Sequence, residues 1–233
     1  MSKPVCIVTG AGRGIGRETV VQLVKRGYNV VGASRTAEEL AATSRQARGC
    51  VCVPTDVADS KQVDRLVDET VKRFGRVDAA VNCAGMAPFL RVDEMTDAQW
   101  HQIIDTNLSS AFYLARAVWP VMKKQGGGVL VNISSLSARD PFEKFGAYAA
   151  AKAGLNMLGW VAAREGEAAG IRVHTVAPGA VETGMFRALL GEKDWPRAKC
   201  LDPADVAKMI VMCVTGEMKH TTGEVIWMRE KFE

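Results

Sequence analysis

The chain has 233 residues, with 30 Lys and Arg against 26 Asp and Glu, so its net charge is only +4. The charges are spread without runs of one sign, which excludes a polybasic nucleic-acid or membrane-surface binder. An apolar fraction of 48% and a charged fraction of 24% fit one α/β domain over 1–233 with a sizeable core.

Val5 to Thr9 follows a short N-terminus too weakly apolar for a secretory segment, and reads as a buried parallel strand. Thr9-Gly10-Ala11-Gly12-Arg13-Gly14-Ile15-Gly16 follows, then a helix from Arg17 to Arg26. Strand, glycine loop and helix in that order are the context of a dinucleotide site. The glycines let backbone approach a pyrophosphate, and the helix N-terminus stabilises its charge. A second strand, Asn29 to Ala33, runs into Ser34-Arg35, 19 residues past Gly16. A carboxylate near this spacing would bind the ribose 2′-hydroxyl of NAD. The chain has Arg35 instead, either a ligand for a 2′-phosphate or a solvated loop residue. A helix from Thr36 to Gln46, a third strand from Cys50 to Pro54 and Asp56-Val57 come next. Asp56 either meets the cofactor or starts the loop to the helix Ser60 to Phe74.

The fourth strand, Asp78 to Val81, leads into Asn82-Cys83-Ala84-Gly85. A long helical segment over Asp97 to Gln125 contains Asn107 and ends at Gly126-Gly127-Gly128. A fifth strand, Val129 to Ile133, ends in Ser134-Ser135, and the apolar helix Phe145 to Ala169 carries Tyr148 and Lys152. A sixth strand, Arg172 to Val176, turns at Pro178-Gly179. Ala180 to Leu201 reads as a mobile, partly helical substrate lid, followed by a helix from Pro203 to Val214 and a last strand, Glu224 to Trp227. This alternation predicts a doubly wound Rossmann-type domain, with a parallel sheet of about seven strands and helices on both faces.

Tyr148 and Lys152 stand four apart, on one face of their helix. An ammonium beside a phenol favours phenolate and lowers a pKa of about 10, which would make the pair a general acid/base. Ligands in such sheets bind beyond the carboxyl ends of the strands, where Ser135 and Tyr148 can converge. Substrate contacts are expected from Met86 to Leu90, Leu136 to Phe145 and Ala180 to Leu201; Phe89, Phe142, Phe145 and Met185 suggest an apolar pocket, while Arg139 and Lys144 either attract an anionic group or are solvated loop charges. The Cys50/Cys52 spacing and only three His give no metal site. The scattered cysteines read as buried apolar residues of a reducing, cytoplasmic compartment.

The glycine loop Thr9–Gly16, Asp56, Asn82-Cys83-Ala84-Gly85, Asn107, Ser135, the Tyr148/Lys152 pair and Pro178-Gly179 with Thr183 together resemble the short-chain dehydrogenase/reductase family. The match runs from the first strand to the last, with a general likeness to 3-oxoacyl-carrier-protein reductases. The resemblance implies Tyr148 as general acid/base, Lys152 tuning it and holding the nicotinamide ribose, and Ser135 orienting the substrate. Ser134 is rejected for that role because side chains alternate at a strand end. It implies that Asn107 breaks its helix and anchors a proton-relay water near Lys152. Asp56 would contact adenine and Thr183 the carboxamide. The expected cofactor site is Gly10, Arg13, Gly14, Ile15, Gly16, Arg35, Asp56, Val57, Asn82, Ala84, Gly85, Tyr148, Lys152, Pro178, Gly179 and Thr183. Cys83, where the family often has asparagine, and the charged end Arg229–Glu233, in place of a glycine-rich tail, are departures.

The implied reaction is hydride transfer between a nicotinamide and a small-molecule carbonyl or secondary alcohol, with NADP(H) preferred over NAD(H) because Arg13 and Arg35 would meet the 2′-phosphate. The other reading is a catalytically silent dinucleotide-binding regulator or scaffold on the same fold. Apolar positions on the two long helices, including Trp119 and Trp160, predict a homotetramer.

Overall fold

The structure, a computed structural model, describes residues 3–229. The expectation about the C-terminal tail therefore lies, beyond Arg229, outside the described residues. Val5–Thr9 forms β1, and all five side chains are buried, as its unbroken apolar run requires for a strand covered on both faces. It is followed by α1 (Gly14–Lys25), β2 (Asn29–Ser34), α2 (Ala37–Gln46), β3 (Val51–Pro54), α3 (Ser60–Phe74) and β4 (Ala79–Asn82). The second half contributes α4 (Asp97–Ile104), α5 (Ser110–Lys124), β5 (Gly128–Ile133), α6 (Gly146–Gly166), β6 (Ile171–Pro178), α7 (Gly184–Arg187), α8 (Pro203–Thr215) and β7 (Val225–Met228). The seven strands form one parallel sheet in the order β3-β2-β1-β4-β5-β6-β7.

Helices cover both faces. Val20 and Leu23 of α1 pack with Val206 and Ile210 of α8 on one side. Leu66 of α3 and Leu114, Val118 and Met122 of α5 fill the other. The chain reverses direction across the sheet between β1 and β4, and such a switch point opens a crevice at the strands' carboxyl ends.

Most element bounds shift by one to three residues from the pattern read in sequence, and three of the differences have a visible cause. The first helix starts at Gly14 rather than Arg17, because the glycine loop itself winds into the first turn. The fourth strand begins one residue later, since the Asp78 carboxylate accepts from Val5 N at 2.7 Å and closes the strand's entry. The Asp97–Gln125 segment is helical to Lys124, but a π turn at Asp105–Ser109 separates α4 from α5. Asn107 lies inside that turn, where the regular α-helical ladder is interrupted. Its Nδ2 donates to Ile103 O at 2.9 Å within that widened turn.

Cys6, Cys50 and Cys213 are buried as expected, whereas Cys52, Cys83 and Cys200 are only half-buried. Burial pushes the thiols of Cys50 and Cys213 up to about 12, so they are inert packing residues. Among the described residues no helix is long and apolar enough to cross a membrane.

Candidate active site

Thr9 joins the two loops that flank the switch point. Its Oγ1 accepts from Cys83 N at 3.2 Å and Ala84 N at 3.3 Å, which draws the β4 loop against the β1 loop. Gly10 lies at φ +66°, and a Cβ there would stand 2.8 Å from Ala84 N. A Cβ on Gly16 would stand 2.2 Å from Gly10 O, so only glycine lets α1 seat against the loop. α1 has no side-chain cap and no acidic residue in its first turn. Its leading N–H groups and dipole are therefore available to an anion.

A cleft of about 420 Å³ opens above these loops. Arg13 and Arg35 stand at one end with Asp56 and Val57. Arg17 lies beneath: its Nε donates to Thr43 Oγ1 at 3.1 Å and its Nη2 to Gly12 O. Arg13 is not a free cation. It pairs with Glu39 at 3.6 Å. The Glu39 carboxylate and the Ser34 hydroxyl both come within 2.8 Å of where a Cβ on Gly12 would be. Ser34 Oγ is buried with no hydrogen-bond partner, a cost that a ligand hydroxyl or phosphate oxygen at this wall would relieve. Asp56 Oδ1 accepts from Ala58 N at 3.1 Å, so it shapes the loop while also facing the cleft. Glycine cradle, helix terminus and unpartnered hydroxyl together fit a dinucleotide.

Toward the other end lie Ser135, Tyr148 and Lys152. Lys152 is buried at 4% exposure, and its Nζ donates to Ile133 O at 2.8 Å. That nitrogen is 5.6 Å from the centre of the Tyr148 ring. Ser134 Oγ donates inward to Lys152 O at 3.2 Å. Ser135 Oγ accepts from Ser137 N and Ser137 Oγ, at 3.2 and 2.9 Å. Burial pushes the Tyr148 phenol above its ordinary value, and a hydrogen bond with Ser135 restrains that rise. The lowering expected from Lys152 is therefore overturned as the dominant effect: desolvation outweighs the neighbouring charge. The same burial holds the Lys152 ammonium down at about 8.

Asn82 and Asn107 are absent from the cleft's lining and stand behind its wall. Asn82 Oδ1 accepts from Thr9 Oγ1 at 3.5 Å. Asn107 holds the backbone of Met86, donating to its O at 2.9 Å and accepting from its N at 3.2 Å. A Cβ on Gly85 would be 2.9 Å from Asn107 Oδ1 and 3.7 Å from Lys152 Nζ. The missing side chain keeps a passage open between those groups. Every other residue expected at the site, with Gly10, Gly14, Ile15, Gly16, Ala84, Gly85, Pro178, Gly179 and Thr183 among them, lines the cleft. Asp140 and Trp195 line it from the two stretches, 136–145 and 180–201, expected to meet substrate, whereas Ser34 and Glu39 were not expected there.

Residues of the 180–201 segment line the cleft. Val181 pairs with Leu201, and Leu201 N donates to Ala180 O at 2.8 Å, which joins the segment's two ends. Glu182 ion-pairs with Arg187 at 2.5 Å and Arg197 at 3.3 Å. Thr183 accepts from Phe186 N at 3.3 Å to cap α7, and its methyl would touch a Cβ on Gly14 at 3.2 Å.

The family description "short chain dehydrogenase" matches residues 4–194. A short chain dehydrogenase/reductase of Aspergillus oryzae is 36% identical, covering 95% of this chain and 92% of its own length. A 3-oxoacyl-[acyl-carrier-protein] reductase of Staphylococcus aureus is 33% identical, with 94% of each chain covered. The crystal structure of a short-chain dehydrogenase/reductase from Burkholderia xenovorans superimposes with a TM-score of 0.91 at 33% identity, covering 98% of this chain and 95% of the other. With a glycine cradle at one end of the cleft and a tyrosine, serine and lysine at the other, the chain belongs to the short-chain dehydrogenase/reductase family and is an oxidoreductase of that kind.

Proposed function

We propose that the enzyme interconverts a carbonyl compound and its secondary alcohol, with NADP(H) preferred and Tyr148 as general acid/base. The observation that carries this is the convergence of Ser135, Tyr148 and the buried amine of Lys152 on one cleft, with that amine 5.6 Å from the centre of the tyrosine ring. The dinucleotide supplies or accepts the hydride. Ser135 and Tyr148 donate to the substrate oxygen as charge develops on it. A half-buried phenol that holds its proton is the form that donates to a forming alkoxide. Lys152 adds positive charge beside the ring and, with Thr183, Pro178 and Gly179, would hold the nicotinamide end. We assign the second lone pair of Asn107 Oδ1 to a water that relays protons through the gap at Gly85 toward Lys152. Asp56 and Val57 would hold the adenine end. The test is a panel of carbonyls and alcohols followed by cofactor absorbance with NADPH and NADH. Dinucleotide binding without turnover of any compound would favour the silent regulator.

Lys152 gives a prediction independent of turnover. The unfolded chain keeps this amine protonated to about 10.4, whereas the folded chain releases its proton at about 8. Between those values the unfolded state binds more protons, so stability rises with pH; below the folded value the penalty is fully present. A shift of this size corresponds to about 3 kcal/mol, offset by about 1 kcal/mol for the bond to Ile133 O. Lys152→Met should then gain about 2 kcal/mol near pH 7, a melting temperature higher by about 4–8 °C, and lose that gain near pH 10.5. Melting curves at both pH values check it, and a variant no more stable near neutrality would show that the amine is not desolvated.

We also propose a homotetramer in the cytoplasm. The free thiols of Cys6, Cys50, Cys52, Cys83 and Cys213 suit a reducing compartment. Trp100 of α4, Phe112 of α5 and Met157, Trp160 and Val161 of α6 are exposed, with Met157 at 60%. Such a face on three helices supports burial between subunits. Trp119 is not part of it, because it packs on the core of its own chain. Light scattering at micromolar concentration should return four chains, and Met157→Glu should shift the mass to smaller species. A monomeric wild type would refute the assignment.

A further inference from the structure

We propose that the substrate end of the cleft takes a bulky, uncharged carbonyl compound bearing a fused or aromatic ring, and disfavours anionic acyl thioesters; this rests on the reductase reading above. Four of the seven phenylalanines line this one cleft, Phe89, Phe142, Phe145 and Phe186, together with Trp195. They form a continuous chain of ring contacts that ends on the reacting tyrosine. Phe145 lies 5.1 Å from Tyr148 and 4.8 Å from Phe89, centre to centre. Phe142 continues the chain 6.1 Å from Phe145 and 6.3 Å from Trp195, and Phe186 backs Trp195 at 6.2 Å. The rings meet tilted or edge-on rather than stacked face to face. Phe142 remains 55% exposed, and Phe89, Phe186 and Trp195 are only half-buried. A flat apolar ligand would cover those faces and present its carbonyl to Tyr148.

Charge at this end points the same way. Asp140 is exposed on the rim and makes no ion pair among the described residues. The nearby arginines are engaged elsewhere. Arg187 and Arg197 bind Glu182, and Arg187 Nη1 also donates to Trp195 O at 2.7 Å. Arg139 lies over the Trp227 ring, 5.8 Å from its centre. Lys144 does not line the cleft. An acyl thioester carrying phosphates would therefore meet a carboxylate with no free guanidinium to offset it.

The experiment compares kcat/KM for 2-tetralone, cyclohexanone and acetoacetyl-CoA with NADPH. The expected order puts 2-tetralone ahead of acetoacetyl-CoA by at least about tenfold. Phe142→Ala and Trp195→Ala should each lower the ratio of 2-tetralone to cyclohexanone about tenfold, mainly through KM. Asp140→Asn should raise acetoacetyl-CoA relative to 2-tetralone. Binding is read separately: 2-tetralone should quench tryptophan fluorescence of the wild type, and Trp195→Phe should remove most of that quenching. A preference for acetoacetyl-CoA, an unchanged ratio in both ring variants, or quenching indifferent to Trp195 would each overturn the proposal. Quenching through Trp195 without turnover of any ketone would leave the ring site standing and overturn the reductase reading instead.

Discussion

Tyr148→Phe is expected to lower kcat by about 10²–10⁴-fold while dinucleotide binding survives, the range of a positioned general acid. The substitution keeps the ring, and with it the 5.1 Å contact to Phe145 and the 5.6 Å approach of Lys152. Only the hydroxyl is removed, at a position that lines the cleft together with Ser135. The phenol's direction of shift adds a pH signature. Burial raises its pKa, so it stays protonated through neutrality, and carbonyl reduction should need no deprotonation. Alcohol oxidation needs the phenolate and should climb as pH rises above neutral. Stopped-flow single turnovers in both directions, with NADPH binding measured by fluorescence, separate the two effects. A variant near wild-type rate would remove Tyr148 from the chemistry, and equal loss of cofactor affinity would mean the ring, not the hydroxyl, matters.

The sheet was legible because parallel strands buried on both faces carry unbroken apolar runs, and glycines punctuate their ends. Val5–Thr9 and Gly128–Ile133 show it, and α3 runs over the span read for it, Ser60–Phe74, where Asp59 caps the first turn and Gly75 ends the last in a left-handed conformation. Much of the cleft was legible for a related reason: ligand-facing residues in this topology follow strand ends, and Ser135, Gly179 and Asp56 do so. The π turn was not, since one extra residue in a ladder leaves no periodic signal over five positions. The direction of the Tyr148 shift was missed because residue spacing shows a neighbouring charge but not how much water the pair has lost. Glu39 was missed because it belongs to a helix and reaches Arg13 across two loops, a contact between segments 26 residues apart. The closure of 180–201 by Val181 and Leu201 is likewise a pairing between segments with no periodicity of their own.

Arg35→Asp is expected to reverse the cofactor preference, and the structure moves most of the discrimination onto this one residue. Arg35 is exposed at the cleft's end and has no ion pair among the described residues. Arg13, by contrast, already faces Glu39 at 3.6 Å. NAD(H) therefore does not leave both guanidiniums unpaired, and a 2′-phosphate must compete with a carboxylate for one of them. A hydrogen bond to a charged group contributes about 1.5–3 kcal/mol, or roughly ten- to hundredfold in affinity. Wild type should favour NADPH by about that factor through Arg35. Aspartate in its place would repel the phosphate and accept from the ribose hydroxyl, close to the unpartnered Ser34 hydroxyl. Glu39→Gln should act oppositely, releasing Arg13 to the phosphate and widening the NADPH preference by up to about tenfold. The measurement is kcat/KM and Kd for both cofactors in the three proteins, at low and high salt. If wild type favours NADH, or if Arg35→Asp leaves the ratio unchanged, Arg35 is only a solvated loop residue. If Glu39→Gln narrows the preference instead, its carboxylate is supporting the phosphate site by positioning Arg13 rather than competing for it.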